Sequence, residues 1–378
     1  MKHLSFLLLT VSLMMLFPSF CPAAEEEAAE SLPVRGLAIE APKPGGLDRF
    51  LTFVEEELAP AHFNLLILRV DWNYAFASHP ELQDPDPLTR DDVGKIVAVC
   101  KKHGIRVVPQ INLLGHQSWA ETTYALLREY PQFDENPSVK TANYKPWPNP
   151  DRLYCKSYCP LHPEVHDVVF AVVDELCDAF EADGFHAGMD EVFYLGEAEC
   201  PHCHDHDKAE LFAGEVTLIR DHLAEKGRQL MIWGDRLLDG RTTGLGEWEA
   251  SYNDTWPAID MIPKDVFICD WHYERADLTG VYFATKGFNV ASCGYRNPDL
   301  CLQQISDMVR FRKQSAPETA ARLQGYIHTI WSDANSFLNR YYKLKSGNGE
   351  GAVRPRDDAR ALQAVIAAFS QTAPSSKK

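Results

Sequence analysis

Short, β-branched apolar runs alternate along the chain with longer stretches in which apolar residues recur every three or four positions. Runs of the first kind, bounded by polar or turn-forming residues, predict β-strands. Eight such strands are predicted, over residues 35–40, 64–70, 105–112, 185–190, 229–233, 266–270, 289–293 and 325–331.

The longer stretches have the period of amphipathic helices. The clearest covers residues 164–182, where valines, a leucine and a phenylalanine return at three- and four-residue steps. Similar periods predict helices over residues 91–103, 209–226, 298–312 and 358–369. Several of these helices end at a glycine that precedes the next strand, and glycine commonly terminates helices. The glycines are Gly104, Gly184 and Gly227.

The repeated order of strand, helix, glycine and strand is typical of parallel βα units. Eight such units with no second type of composition predict an α/β fold, a single (β/α)₈ TIM barrel, over residues 33–370. Residues 130–163 are rich in Pro and Asn and have no clear period. We interpret them as a long loop over the active face of the barrel.

The first residues are typical of a secretory signal peptide. Lys2 precedes an apolar run over residues 4–17, and small residues ending at Ala24 follow. This run is shorter than the about 20 apolar residues that span a bilayer, and no later run is long enough. We therefore expect an exported protein, periplasmic or extracellular, with no membrane span. Lipidation at Cys21 is an alternative that the bulky Phe20 before it disfavours.

The composition adds two limits. The formal net charge is −17, and the sequence has no stretch rich in Lys and Arg. We therefore expect no binding to nucleic acid and favour a neutral substrate. The acidic residues before the first strand predict a disordered leader. The expected organisation is a signal peptide over residues 1–24, a leader over 25–32, the barrel over 33–370 and a disordered tail over 371–378.

Four cysteines lie in two closely spaced pairs on either side of residues 190–191, and histidines 202, 204 and 206 crowd the second pair. Because export favours oxidation, one or two disulfides that pin long loops are the favoured interpretation. The alternative is a structural zinc held by four thiolates. The cysteines are Cys155, Cys159, Cys200 and Cys203.

Polar and aromatic residues follow the predicted strands, where a barrel carries its catalytic groups. Asp190 and Glu191 end the fourth strand and precede the apolar residues 192–195. We therefore expect at least one of the two carboxyl groups to be partly desolvated, with a raised pKa suited to general acid catalysis. Candidate partners after other strands are His116, Trp233, Asp235, Trp271, Tyr273, Trp331 and Asp333.

Residues 185–196, which contain Gly-Met-Asp-Glu, closely resemble the catalytic motif of glycoside hydrolase family 20, the β-N-acetylhexosaminidases. Residues 107–116 resemble the family's third-strand segment, whose histidine contacts the sugar, and residues 330–333 resemble its eighth-strand tryptophan and acid. Arg35 is similar to the first-strand arginine that holds sugar hydroxyls. The resemblance spans residues 33–340 and implies the compact branch with a single catalytic barrel.

The resemblance implies substrate-assisted retention, in which the 2-acetamido oxygen of the sugar attacks the anomeric carbon. Glu191 would protonate the leaving oxygen and then activate water, while Asp190 would orient the acetamido N–H. Tyr273 would donate to the acetamido oxygen. The remaining residues that it implies in substrate binding are Arg35, His116, Trp233, Asp235, Trp271, Trp331 and Asp333.

The implied partner is an oligosaccharide or glycoconjugate that contains N-acetylhexosamine, and the implied catalysis needs no cofactor. Gln110 and Asp333 depart from the glutamates common in the family, which affects the recognition of sugar hydroxyls. Two alternatives stay open. One is a retaining glycosidase that pairs Glu191 with Asp270 or Asp333 on a sugar without an acetamido group. The other is a catalytically idle carbohydrate-binding barrel.

Overall fold

The computed structural model describes residues 32–120, 122–139, 153–347 and 356–371. The predicted signal peptide with Cys21, the leader before residue 32 and the tail after residue 371 lie outside these residues. Within the described part of the chain, no helix combines the length and the apolar character needed to cross a bilayer.

Eight parallel strands form a closed barrel, so the predicted (β/α)₈ fold is confirmed. Each strand pairs with the next one around the ring, and the last pairs with the first through Leu37 and His328. The strands are β1 Val34–Glu40, β2 Leu65–Arg69, β3 Arg106–Leu113, β4 Gly184–Gly188, β5 Gln229–Trp233, β6 Phe267–Trp271, β7 Val290–Gly294 and β8 Leu323–Thr329. All eight lie within two residues of the predicted bounds.

Helices surround the barrel, and the five predicted helices are all present. They are α2 Arg90–Lys102, α4 Val165–Ala179, α5 Lys208–Ala224, α8 Pro298–Gln314 and α11 Asp358–Gln371. The others were not predicted, since most are too short to show a clear period. They are α1 Leu47–Phe53, α3 Ala125–Glu129, α6 Gly240–Thr243, α7 Thr279–Thr285, α9 Pro317–Arg322 and α10 Ala334–Lys345.

The apolar core has two layers because successive strand residues point to opposite sides. In β2, Leu66 and Leu68 pack in the layer between strands and helices, whereas Ile67 packs inside the barrel. Trp233 and Met231 of β5 also belong to the inner layer. This packing fills the barrel interior and leaves the ends of the strands as the place for a cavity.

The connection between β3 and α4 folds back over the barrel. The Glu135 N–H donates to the carbonyl of Ser157 at 3.0 Å, and the Cys159 N–H donates to the carbonyl of Phe133 at 2.7 Å. Residues 133–135 and 157–159 therefore pair, and Tyr154, which precedes the second of these segments, lines the cavity. The described parts of this connection agree with the predicted loop over the active face.

Candidate active site

A cavity of about 900 Å³ opens at the carboxyl ends of the barrel strands. Its wall includes the last residues of several strands and the residues that follow them. Among these are Glu40, Arg69, Asp71, Asn112, His116, Asp190, Glu191, Trp271, Tyr273 and Trp331. The structure thus brings together residues that are far apart in sequence, including both members of the predicted acidic pair.

The backbone after β4 makes a strained turn that aims both acids at the cavity. Gly188, Met189 and Glu191 have φ values of 69°, 68° and 49°, in the left-handed region that non-glycine residues rarely adopt. Gly115 permits this turn, since a Cβ at that position would lie 2.6 Å from the backbone oxygen of Asp190. The ends of β3 and β4 therefore meet backbone to backbone.

His116 contacts both acids. Its Nε2 lies 3.1 Å from Oδ2 of Asp190 and 3.2 Å from Oε2 of Glu191. Burial lowers the pKa of His116, but the neighbouring Asp190 carboxylate and the Cys155 sulfur outweigh burial and raise the pKa well above its usual value. For Asp190 the two effects have the opposite signs. Burial raises the pKa of Asp190, but the His116 imidazolium outweighs burial and lowers the pKa overall. The raised pKa expected for one of the acids is therefore not found at Asp190, which is held as a carboxylate.

Tyr154 and Cys155 are site residues that the sequence did not predict in this role. The Tyr154 hydroxyl donates to the Glu191 carboxylate, and Cys155 Sγ lies 3.1 Å from Nδ1 of His116. Burial raises the pKa of the Cys155 thiol to about 12. Both residues lie in the aperiodic stretch after β3, where no strand or helix period indicates the direction of a side chain.

Asp235 lies beneath the acidic pair and does not line the cavity, so its predicted role in contacting substrate is wrong. Its Oδ2 accepts from the Glu191 N–H at 3.0 Å and from Arg236 Nε at 2.6 Å, and its Oδ1 accepts from Trp271 Nε1 at 3.2 Å. Burial raises the pKa of Asp235 to about 6 against the opposing effect of Arg236. Asp235 therefore positions Glu191 and Trp271.

Three aromatic residues among the predicted site residues line the cavity, namely Trp271, Tyr273 and Trp331. The Trp331 indole N–H donates to the Tyr273 hydroxyl at 2.8 Å, and Thr329 Oγ1 lies 3.2 Å from the same hydroxyl. Trp233 is fully buried and packs beneath Trp331 with ring centroids 5.5 Å apart. Its predicted contact with the sugar is wrong because its side chain points into the barrel core.

Arg35 is wrong as a hydroxyl-binding residue, because it lies at the amino end of β1. Its guanidinium donates to the carbonyls of His62 and Leu32, on the opposite face of the barrel from the cavity. The arginine that lines the cavity is Arg69, whose Nη2 donates to Glu40 at 2.6 Å. The sequence contained a signal for this role of Arg69, because Arg69 is a charged residue at the carboxyl end of an otherwise apolar strand.

Asp333, a predicted substrate-binding residue, does not line the cavity. Its Oδ1 accepts from the Ser336 N–H at 3.0 Å and caps the amino end of α10. Asp270, its fellow candidate as a second catalytic carboxylate, is buried and accepts from His272 and Thr279. Neither acid lines the cavity with Glu191.

The four predicted cysteines do not form one cluster. Cys155 lies beside His116 in the active site, whereas Cys159, Cys200 and Cys203 meet around Glu135. None of the nine described cysteines forms a disulfide, so the favoured disulfide interpretation is not what the structure shows. All four cysteines therefore cannot belong to one zinc site, because Cys155 lies in a different group from the other three.

His272 clamps the loop that carries Tyr273. Its Nδ1 lies 2.9 Å from Glu249 and its Nε2 3.1 Å from Asp270, and the Tyr273 N–H donates to Glu249 at 3.2 Å. Burial lowers the pKa of His272, but the two carboxylates outweigh burial and raise the pKa to about 10 from its ordinary 6.5.

Because this pKa is raised in the folded state, the charged His272 stabilises the fold fully below pH 6.5, and the contribution is lost as the pH rises towards 10. We expect His272→Gln to lower the free energy of unfolding at pH 7 and to flatten its decline between pH 7 and 10. Urea denaturation across this range measures the effect, with His79→Gln, at a partly exposed position, as the control. Parallel curves for the wild type and His272→Gln would contradict the assignment.

Comparison with known proteins places this site in a family. The model of the glycosyl hydrolase family 20 catalytic domain matches residues 72–326, more than half of the chain. A lacto-N-biosidase from Bifidobacterium bifidum is 26% identical over 215 residues, which cover 53% of this chain and 17% of that protein. A β-hexosaminidase from Akkermansia muciniphila is 29% identical over 152 residues, covering 38% of this chain and 29% of that protein. The chain thus spans less than a third of either relative.

A solved structure shares the fold. The X-ray structure of Flavobacterium johnsoniae chitobiase superposes with a TM-score of 0.59 at 17% identity, covering 90% of this chain and 51% of that one. At this identity the likeness concerns the fold alone. The family follows from the match of the catalytic-domain model, and the fold and the acidic pair at the mouth of the barrel agree with this match. The chain belongs to glycosyl hydrolase family 20.

Proposed function

We propose that the chain is a β-N-acetylhexosaminidase that releases N-acetylglucosamine or N-acetylgalactosamine by a substrate-assisted retaining mechanism. One observation carries the proposal. Asp190 Oδ1 is buried and has no hydrogen-bond partner among the described residues, while Oδ2 of the same carboxylate is held by His116. A buried carboxylate oxygen without a partner is costly, so it favours a ligand that brings an N–H to it.

The acetamido group of the sugar supplies this N–H. Its hydrogen bond to Asp190 orients the acetamido oxygen towards the anomeric carbon and increases the electron density on that oxygen. The lowered pKa keeps Asp190 anionic, and an anion in a buried site stabilises the positive charge that develops on the ring formed by the attack.

Glu191 donates a proton in the first step of this mechanism and accepts one in the second. As the acetamido oxygen bonds to the anomeric carbon and the glycosidic bond breaks, the Glu191 carboxyl gives its proton to the leaving oxygen. In the second step the carboxylate takes a proton from water, the water oxygen bonds to the same carbon, and the acetamido oxygen leaves. Two displacements at one carbon retain its configuration.

The cavity wall supports these steps. Tyr273 accepts from Trp331, lies 3.2 Å from Thr329 Oγ1 and lines the cavity, where its O–H can turn to an acetamido oxygen. Trp271 and Trp331 offer apolar faces against which a sugar ring packs and excludes water. Arg69 and Glu40 present a charged pair at the same rim, where sugar hydroxyls find both a donor and an acceptor.

A retaining mechanism with two separated carboxylates is disfavoured by the positions of the other acids. Asp270 is engaged by His272 and Thr279, and Asp333 caps a helix. An idle binding barrel is disfavoured by Glu191, whose carboxylate accepts from Tyr154 and whose backbone N–H donates to Asp235.

The test compares aryl N-acetyl-β-glucosaminide and N-acetyl-β-galactosaminide with the aryl β-glucoside that has a hydroxyl in place of the acetamido group. We expect turnover of at least one acetamido substrate and a rate at least about 10²-fold lower for the glucoside, since the glucoside lacks the internal nucleophile. A thiazoline analogue of the cyclic intermediate should inhibit competitively. Equal turnover of the glucoside would indicate two catalytic carboxylates, and ligand binding without turnover would indicate an idle barrel.

A further inference from the structure

A second group of chemically reactive side chains lies outside the active site and takes no part in the mechanism above. We call it the loop cluster. It consists of Glu135, Cys159, Cys200 and Cys203. All four residues are buried, and one ligand atom from each lies within 4.8 Å of the others.

The distances within the loop cluster fit coordination around one small ion. Cys203 Sγ lies 3.7 Å from Cys159 Sγ and 3.1 Å from Cys200 Sγ, and 2.8 Å from Oε2 of Glu135. With Zn–S bonds of about 2.3 Å, two sulfurs of a tetrahedral site are about 3.8 Å apart. The Cys159–Cys203 separation is close to this length, and the Cys200–Cys203 separation is shorter.

The charge balance of the loop cluster also points to a cation. Glu135 is fully buried, and its polar contacts among the described residues are thiols and backbone N–H groups, including the Glu197 N–H at 2.9 Å. No Lys, Arg or His in the described part of the chain forms an ion pair with it. Burial raises the pKa of Glu135, so its carboxylate form is costly here unless a positive ion compensates it.

We propose that the loop cluster binds one structural Zn²⁺ through three thiolates and one carboxylate. The Cys200-x₂-Cys203 spacing forms the kind of knuckle that structural zinc sites use. On binding, each coordinating thiol releases its proton to solvent. The backbone N–H of Glu197 orients the Glu135 carboxylate in the way that outer-shell groups orient zinc ligands.

A disulfide accounts for the four side chains of the loop cluster less well than a zinc ion does. Three sulfurs allow one disulfide and leave one thiol beside a buried carboxylate. Both sulfur pairs are also far longer than the about 2.05 Å of a disulfide bond. Zinc engages all four groups at once. Two of the three histidines of the nearby loop have other contacts, since His202 packs on His162 and His204 bonds to the carbonyl of Cys200.

The proposed ion would join three segments that frame the active site. Cys159 follows Tyr154 by five positions in the same extended segment, and Cys200 and Cys203 follow the acidic pair in the β4–α5 loop. The metal therefore holds the segment that carries Tyr154 against the loop that follows Glu191. Its role is positional, because no ligand of the loop cluster lines the cavity.

The test measures metal in the whole purified protein by mass spectrometry, with no reference to activity. We expect about one zinc per chain in the wild type and in Cys177→Ser, a control at a buried cysteine in α4 away from the loop cluster. Cys203→Ser and Glu135→Gln should lose most of the zinc and lower the melting temperature. In the wild type, titration with a mercurial reagent should release zinc in step with thiol modification, which keeps the test valid where a variant fails to fold.

Alkylation of the denatured, unreduced protein distinguishes zinc from a disulfide. Modification of Cys159, Cys200 and Cys203 in full supports the proposal. A mass lower by two hydrogens on a peptide pair from these cysteines, together with no bound zinc, would overturn it. A metal content equal in the wild type and in Cys203→Ser would overturn it as well. These results are independent of hydrolysis, so the failure of the proposed function would not affect them.

Discussion

Replacing Glu191 by Gln is expected to lower kcat/KM for an aryl N-acetyl-β-glucosaminide by about 10²- to 10⁴-fold, the range that positioned general acids and bases supply. The amide keeps the size of the side chain and its contact with Tyr154, but it has no proton to give to the leaving oxygen. The loss should shrink for an aryl group that leaves more readily, because such a leaving group needs less protonation.

The control is Glu210→Gln, at an exposed position in the first turn of α5. It removes the same charge far from the cavity and should keep the wild-type rate. Steady-state kinetics on two aryl substrates with different leaving groups measure the effect. Equal rates for the wild type and Glu191→Gln, or a loss independent of the leaving group, would remove Glu191 from the role of acid.

Replacing Arg236 by Met is expected to lower the free energy of unfolding by about 3–5 kcal/mol, the cost of leaving a buried charge without its partner. Arg236 and Asp235 are both almost fully buried, with Nε and Oδ2 2.6 Å apart. The same guanidinium donates to the carbonyls of Glu247, Trp248 and Ala250, so the loop beside the cavity loses its anchor too.

Urea denaturation measures this loss, and Arg241→Met is the matched control because its ion pair with Asp254 is exposed. The control should cost at most about 1 kcal/mol. The double variant with Asp235→Asn should recover part of the loss, since it removes the uncompensated charge. A loss for Arg236→Met no larger than that of Arg241→Met would show that the buried pair contributes little.

The fold could be predicted because its signal is local. Each strand is a short apolar run, each long helix has its own period, and a barrel needs only their order. The acidic pair could be predicted for the same reason, since Asp190 and Glu191 directly follow a strand and carry a recognisable motif.

The errors concern residues whose direction depends on contacts between distant segments. Arg35 is an exception that the sequence could have excluded, because it lies at the start of its strand whereas Arg69 ends one, and a barrel carries its site at the carboxyl ends. Trp233 and Trp271 both end strands, yet one points into the core and the other into the cavity. Glu135 joins three cysteines through chain pairing that no sequence period shows.

The close approach of Gly115 to the backbone of Asp190 has a consequence for engineering. Position 115 has no room for a side chain, so a graft that transplants either segment from a relative must keep the two matched. Selectivity for the leaving group is better sought at Trp119, a residue of the cavity wall that is 46% exposed. Randomising position 119 would change which leaving groups the entrance of the cavity accepts. The backbone segments of Gly115 and Asp190 would stay unchanged.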